Sequence, residues 1–251
     1  MIAPYYTDDQ VTLYLGDCRE VIPSVDLGPV DLVLTDPPYG ETALAWDRWP
    51  DGWPALAASI AKSMWCFGSM RMFLDRRDEF ADWRLSQDIV WEKHNGSSLA
   101  ADRFSRVHEH ALHWYRGPWA DVHHTVPVTA DATARTVRRK AKPAHHQGAR
   151  GPSHYISEDG GPRKMRSVIY GRSMHGRAIH PTEKPTGIVE PLIEYGCPPG
   201  GTVVDFFAGS GSTGVVCKAT GRRAVLIEAD ELHAEQAAKR LAQDTLFGGV
   251  A

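Results

Sequence analysis

Apolar and polar positions sort along this chain into short buried runs that alternate with amphipathic stretches. Val11-Thr12-Leu13-Tyr14-Leu15 alternates as a strand does and ends at Gly16-Asp17-Cys18, after which Arg19 to Val25 reads as a helix. Val30 to Thr35 is a largely apolar run and Thr202 to Phe207 a strand of similar kind, the pattern of parallel strands buried on both faces. Strand patterns also cover Met64 to Ser69, Gln87 to Lys93, Arg106 to Tyr115, Ser167 to Tyr170, and Arg223 to Ile227 with Glu228 at its end. Helical periodicity covers Leu56 to Lys62, Thr186 to Tyr195 with Pro185 near its start, Ser212 to Thr220 and Leu232 to Leu241. It also covers Arg71 to Arg84, with Met72, Phe73, Phe80 and Trp83 on the inner side; fraying is expected from Phe247. Asn95-Gly96 signals a turn. Glu41 to Trp53 reads as an irregular loop whose Trp46, Trp49 and Trp53 are packing residues, the favoured reading, or stacking faces for a planar ring. Strands alternating with helices predict an α/β fold with a mostly parallel sheet and helices on both faces.

Composition adds limits. With 251 residues, 42% hydrophobic and 24% charged, the chain can bury a full core as a soluble globular protein. It has no apolar run of about 18 residues that would span a membrane. Its start lacks the basic-then-apolar pattern of a signal peptide. Four scattered cysteines, Cys18, Cys66, Cys197 and Cys217, fit buried reduced thiols of a cytosolic protein. Charge is where the chain departs from the ordinary. Glu92 to His180 holds fifteen Lys and Arg against seven Asp and Glu, whereas the remainder holds thirteen against twenty-four. A basic segment within an acidic body is the footprint of a polyanionic partner.

Two strand ends carry candidate chemistry. Asp36-Pro37-Pro38-Tyr39-Gly40 closes the first buried run, and its prolines remove two N–H donors while leaving carbonyl acceptors in a stiff turn. The second run leads into Asp205-Phe206-Phe207-Ala208-Gly209-Ser210-Gly211-Ser212-Thr213-Gly214. Together the two stretches resemble the catalytic and cofactor motifs of DNA amino-methyltransferases, which use S-adenosylmethionine to methylate exocyclic nitrogens of adenine or cytosine. The motif order, with catalytic turn first, basic insertion second and donor loop last, is similar to the permuted β class.

The resemblance implies a Rossmann-like methyltransferase fold and specific roles. The Asp36 side chain and the Pro37 carbonyl would accept the two N–H groups of the target amine and stabilise positive charge growing on its nitrogen. Pro38 would stiffen the turn, and Tyr39 would stack on a base flipped out of the duplex. The donor would contact Asp17 and Cys18 beside its adenine, and His180, Thr182 and Lys184 at its methionine end. Asp36 would border it as well. Asp205, Phe206, Phe207, Ala208, Gly209, Gly211 and Thr213 would form the loop beneath the donor, with Glu228 accepting both ribose hydroxyls. Asp17 also suits a helix N-cap, a role compatible with the first. Arg135, Arg138, Arg139, Lys140 and Lys142, in a stretch from Thr125 to Lys164 poor in large apolar residues, read as phosphate contacts to double-stranded DNA. The alternative is a flexible solvated segment. His108-Glu109-His110 lacks zinc-protease spacing, since Leu112 stands where the second histidine would fall; the strand is similar to one with a His-Glu pair in the family.

Gly209-x-Gly211-x-x-Gly214 also satisfies the dinucleotide fingerprint, so an NAD-dependent oxidoreductase is a rival. That reading leaves the Asp-Pro-Pro-Tyr turn without a role, and it puts the fingerprint too near the end for a substrate domain to follow. A non-catalytic DNA-binding protein of the same fold would be expected to have lost one of the two motifs, and both are intact. Cytosine-C5 chemistry would need a Pro-Cys loop, and the only adjacent pair is Cys197-Pro198. Asp at position 36 favours adenine N6 over cytosine N4, where related enzymes more often carry Ser. The expected division is a catalytic half at 1–91, a basic insertion with the target-recognition region at 92–178, and a cofactor half at 179–251. A homodimer, a companion restriction nuclease, and a cytoplasmic, nucleoid-associated location complete the expectation.

Overall fold

The computed structural model describes residues 2–44, 46–97, 102–139, 142–144, 148–172 and 183–247. Two compact units emerge, one of Met1–Thr125 with Ser167–Ala251 and one of Val126–Arg166. The second is narrower than the 92–178 insertion expected, because the chain on either side of it supplies strands to the main sheet.

Nine strands build that sheet: β1 (Tyr6–Thr7), β2 (Val11–Leu15), β3 (Leu32–Thr35), β4 (Ser63–Gly68), β5 (Arg84–Ser97), β6 (Arg106–Tyr115), β7 (Val168–Tyr170), β8 (Thr202–Asp205) and β9 (Arg223–Glu228). Their order across the sheet is β1-β2-β9-β8-β3-β4-β6-β5-β7. Strands β2, β9, β8, β3 and β4 are parallel neighbours, β6 returns antiparallel between β4 and β5, and β7 lies parallel to β5. Every residue of β3, β4 and β8 is buried, which is why these segments read as unbroken apolar runs rather than alternating ones.

The helices are α1 (Cys18–Val21), α2 (Trp53–Ile60), α3 (Met70–Asp75), α4 (Thr186–Gly196), α5 (Ser212–Ala219) and α6 (Glu231–Phe247). Residues of α1, α2 and α3 pack with Val33, Met64, Cys66, Val204 and Phe206 in one core. Its centre is the fully buried Trp53, edge-on to Phe80 at 5.9 Å and to Phe206 at 6.2 Å. On the opposite face Tyr195 of α4 meets Trp65 edge-on at 5.6 Å. A Cβ on Gly214 of α5 would come within 2.8 Å of Leu241 and 2.9 Å of Leu226, so this glycine lets α5 lie close against α6 and β9.

Three expectations need correction. The helix over Arg71 to Arg84 stops at Asp75, followed by a short 3-10 turn at Arg77–Phe80. Met72, Phe73, Phe80 and Trp83 are buried as expected, but the chain turns there and the Trp83 indole N–H donates to the Pro54 carbonyl at 2.9 Å. Asn95-Gly96 lies within β5, in an irregularity where the pairing passes from Glu92–His108 to Ser97–Arg106. Of the three loop tryptophans, Trp49 and Trp53 pack in the core while Trp46 is 42% exposed.

His113 on β6 is fully buried between Ser63 Oγ at 3.0 Å from Nε2 and Ser86 Oγ at 2.9 Å from Nδ1. Burial, with a smaller contribution from His124, pushes its pKa down to about 4. The unfolded chain therefore binds a proton near pH 6.5 that the folded one refuses, and stability falls as pH drops from there towards 4, by up to about 3 kcal/mol. Urea melts across that window should show a flatter pH dependence in His113→Gln than in the wild type; parallel curves would contradict the assignment.

Candidate active site

Neighbouring strands β8 and β3 send the chain in opposite directions. From β8 it passes through α5 to β9, and from β3 through α2 to β4. Open α/β sheets bind ligands beyond the carboxyl ends of the strands at such a reversal. The two ends are tied together: Thr35 Oγ1 donates to Asp205 Oδ1 at 3.0 Å and accepts from the Phe206 N–H at 3.3 Å. A cleft of about 740 Å³ opens above them, a size suited to a small-molecule site.

Asp36, Pro37, Pro38 and Tyr39 all line this cleft. The Tyr39 hydroxyl has one proton and two carboxylates near it, Asp36 Oδ1 at 2.7 Å and Glu109 Oε1 at 3.2 Å. On the other side of Asp36 sits the Lys184 ammonium, hydrogen-bonded to Oδ2, 3.7 Å from Glu109 Oε2 and over the Phe67 ring at 5.1 Å. Lys93 reaches Glu109 Oε2 at 3.1 Å from β5. Two carboxylates thus face two ammonium groups in a mostly buried cluster. Burial pulls the Lys184 pKa down, but Asp36 and Glu109 more than restore it and hold it above the usual lysine value. Burial pushes Asp36 up, Lys184 opposes, and the Glu109 charge adds to the rise. Glu109 is pushed up by burial but ends below the usual range because Lys184 and Lys93 both favour its charge.

The glycine loop forms the other wall. Asp205, Phe206, Phe207, Ala208, Gly209 and Thr213 line the cleft, as do Asp17, Cys18, Lys184 and Glu228. Gly211 is the exception among the loop residues expected there. It adopts φ 76° at the N-cap of α5, where a Cβ would press on Ala237 at 3.3 Å, so its role is to shape the loop. Asp205 accepts from Thr35, Thr213 at 2.6 Å and the Phe207 N–H at 3.1 Å, and burial still pushes it up to about 6. Glu228 holds the loop from outside, accepting from the Gly209 N–H at 2.7 Å and the Asp230 N–H at 2.9 Å. Asp17 is the N-cap of α1, accepting from the Arg19 N–H at 2.9 Å, and the Arg19 side chain holds its carboxyl below the usual range. Burial pushes the Cys18 thiol up to about 12. His180 and Thr182 lie outside the described residues.

Several participants were not singled out from sequence. Glu109 appeared only as part of a His-Glu pair, and Lys93 as the end of a strand. Asp47 accepts from the N–H groups of Gly40, Glu41 and Thr42 at 2.7, 3.0 and 2.7 Å, fixing the chain after the turn of Asp36 to Tyr39. Arg240 on α6 pairs with Glu183 at 3.0 Å and donates to the Ser210 carbonyl at 3.2 Å. Ser212 Oγ in turn donates to the Lys184 carbonyl at 3.0 Å. The only sequence signal for these contacts was the closeness of Glu183 to Lys184.

In the second unit Arg135–Arg139 pairs antiparallel with Ser153–Ser157, and Lys142–Ala144 with Gly148–Arg150. Arg135 and Arg138 are exposed; Arg139 and Lys142 are described in backbone only, and Lys140 lies outside the described residues. Val126 to Arg166 carries nine Lys and Arg against three Asp and Glu. Within it Arg163 pairs with Asp131 through two contacts of 2.8 Å.

The N6/N4 methylase family model, described as DNA methylase, matches residues 30–239. YubD of Escherichia coli (strain K12), whose designation as a methylase is provisional, is 30% identical over 230 residues, spanning 90% of this chain and 88% of that protein. Among solved structures, M1.HpyAVI in complex with SAM has a TM-score of 0.62 at 24% identity, covering 92% of this chain and 100% of that one. The cytosine-N4-specific PvuII DNA methyltransferase also has 0.62, at 16% identity, covering 100% of this chain and 91% of that one. The two structural likenesses establish the fold.

The charge cluster makes a prediction of its own. Lys184→Met leaves Asp36 and Glu109 buried with Lys93 alone and should cost about 3 kcal/mol. Adding Glu109→Gln should return a large part of that loss in urea melts; equal stability of Lys184→Met and wild type would show that the cluster is not coupled.

Proposed function

The chain belongs to the N6/N4 DNA methylase family, and from that membership we propose which residues act and on which base. It is an S-adenosylmethionine-dependent DNA amino-methyltransferase, and its proposed target is a flipped adenine at N6, with cytosine N4 the alternative. The observation that carries the reading is the catalytic turn and the glycine loop facing one cleft at the sheet's reversal point. The preference for adenine rests on Asp at position 36.

The residues present fit the donor. Gly209 at φ 50° puts no side chain over the loop, the half-buried Phe207 offers apolar surface over the buried Phe206, and the cleft holds about 740 Å³. Each oxygen of Glu228 accepts one backbone N–H, which leaves lone pairs for two ribose hydroxyls. Asp17 and Cys18 are proposed beside the adenine end, Lys184 with His180 and Thr182 towards the methionine end. When bound, the donor supplies a methyl group on a positively charged sulfur.

The chain's own part is to hold and polarise the amine. The amino lone pair is delocalised into the base, so the nitrogen is a poor nucleophile. Asp36 has acceptor capacity beyond its contacts to Tyr39 and Lys184, and among the described residues nothing donates to the Pro37 carbonyl. These two acceptors would take both amine N–H groups, draw the nitrogen towards tetrahedral geometry and stabilise the positive charge developing on it. The Tyr39 ring provides a stacking face for the extruded base. Arg135, Arg138, Arg139, Lys140 and Lys142 supply phosphate contacts. The proposal includes a second copy of the chain and a companion nuclease, as the sequence resemblance implies, and an enzyme at work on DNA in the cytoplasm.

Asp36→Ala should lower transfer of labelled methyl groups from S-adenosylmethionine to DNA by about 100-fold or more while leaving donor affinity within about threefold. Near wild-type transfer would remove Asp36 from the mechanism. The Arg135→Ala/Arg138→Ala variant should bind all DNA sequences more weakly and lower the slope of log affinity against log salt by about 2. An unchanged slope would place the phosphate contacts elsewhere.

A further inference from the structure

We propose that Glu109 is a positioning residue for methyl transfer: its charge neutralises the second lysine of the cleft, so that Asp36 keeps its capacity to receive the amine. The inference rests on the transferase reading and deepens it. Glu109 is 8% exposed on β6, between the catalytic turn and the donor loop in sequence, and it lines the cleft. Its Oε2 lies 3.1 Å from Lys93 and 3.7 Å from Lys184, while its Oε1 lies 3.2 Å from the Tyr39 hydroxyl. Glu109 therefore touches both groups that are bonded to Asp36, Tyr39 and Lys184, and holds Lys93 as well.

With both carboxylates ionised, the cluster is neutral: Asp36 and Glu109 balance Lys184 and Lys93. Without the charge of Glu109, two ammonium groups would share one carboxylate and the floor of the site would carry a net positive charge. Positive charge must grow on the amine as the carbon–nitrogen bond forms and the carbon–sulfur bond breaks, its electron pair returning to sulfur. A cationic floor opposes that growth, most strongly in a site shielded from water. The charged and titratable groups that face Asp36 are Lys184 before α4, Tyr39 in its own turn, Glu109 on β6, Cys66 on β4 and Asp205 on β8. Lys93 on β5 acts through Glu109. Since Glu109 raises the Asp36 pKa, its removal lowers it, and the acid limb of the rate profile moves to lower pH.

Single-turnover methyl transfer to DNA is the test, with wild type, E109Q, E109D and E109Q/K93Q. E109Q should be at least about tenfold slower with donor and DNA affinities changed less than about threefold, and its acid limb should lie at lower pH. E109Q/K93Q, neutral again, should recover most of the rate, and E109D should stay close to wild type. A rate for E109Q within about twofold of wild type, or a double variant no faster than E109Q, overturns the proposal. If E109Q does not fold, E109Q/K93Q decides alone, and a rate more than about tenfold below wild type counts against the proposal. Carboxyl-carbon NMR titration of Asp36 gives a readout that needs no turnover. Its midpoint should fall in E109Q, and an unmoved midpoint overturns the proposal. A midpoint that falls in a protein transferring no methyl group would sink the transferase reading and leave the charge coupling standing.

Discussion

The contact on which the site depends is the tie between two adjacent strand ends. Thr35 and Asp205 stand at the last positions of β3 and β8, and the Thr35 hydroxyl bridges the two strand ends, donating to the Asp205 carboxylate and accepting from the Phe206 N–H beside it. Both residues are buried, so neither can exchange its partner for water. That tie holds the turn of Asp36 and the loop of Gly209 at a fixed separation. A reaction between a bound amine and a bound methyl group needs such a fixed distance more than it needs any reactive side chain.

Further supports follow from the burial of charge above that tie. Asp36 and Glu109 can remain ionised in the cleft because Lys184 and Lys93 come with them. Lys184 cannot drift, because Glu183 is held by Arg240 and the Lys184 carbonyl by Ser212. The loop at Gly209, the last helix and the lysine on Asp36 are thereby linked. Asp47 does the equivalent for the chain beyond Gly40, gathering three backbone N–H groups. The apolar layer around Trp53 lies directly beneath, in contact with Phe206 and Phe207, so the loop rests on packed rings.

Sequence reasoning reached the two motifs because their chemistry is local. Asp36-Pro37-Pro38-Tyr39 and the loop from Asp205 each follow a buried strand, and parallel strands that are apolar throughout announce themselves. The pairing of the two motifs in one cleft came from the resemblance rather than from periodicity, and the order of the strands was not legible in the sequence, because it is set by contacts between segments far apart in the chain. Glu109 was visible only as a neighbour of histidines, since its partners Lys93, Lys184 and Tyr39 are distant in sequence and meet it only in the folded chain. The missed end of the helix at Asp75 has a similar origin: the inner residues were identified correctly, but the aromatic cluster they join, not helical spacing, fixes the path from Asp75 to Trp83. Asn95-Gly96 carried a real turn signal that the long hairpin of β5 and β6 absorbed as an irregularity. Gly211 matched a cofactor pattern by position, although its backbone conformation and its contact with Ala237 assign it to the shape of the loop.

The central claim is that this cleft methylates an exocyclic amino nitrogen in DNA. Mass spectrometry of nucleosides from the DNA of a methylation-free host, expressing either the wild-type chain or Asp36→Ala, tests it most directly. The account predicts N6-methyladenine with the wild type and none with the variant. N4-methylcytosine in its place would keep the mechanism and move the target base. Neither mark, from a folded protein that binds S-adenosylmethionine, would contradict the account.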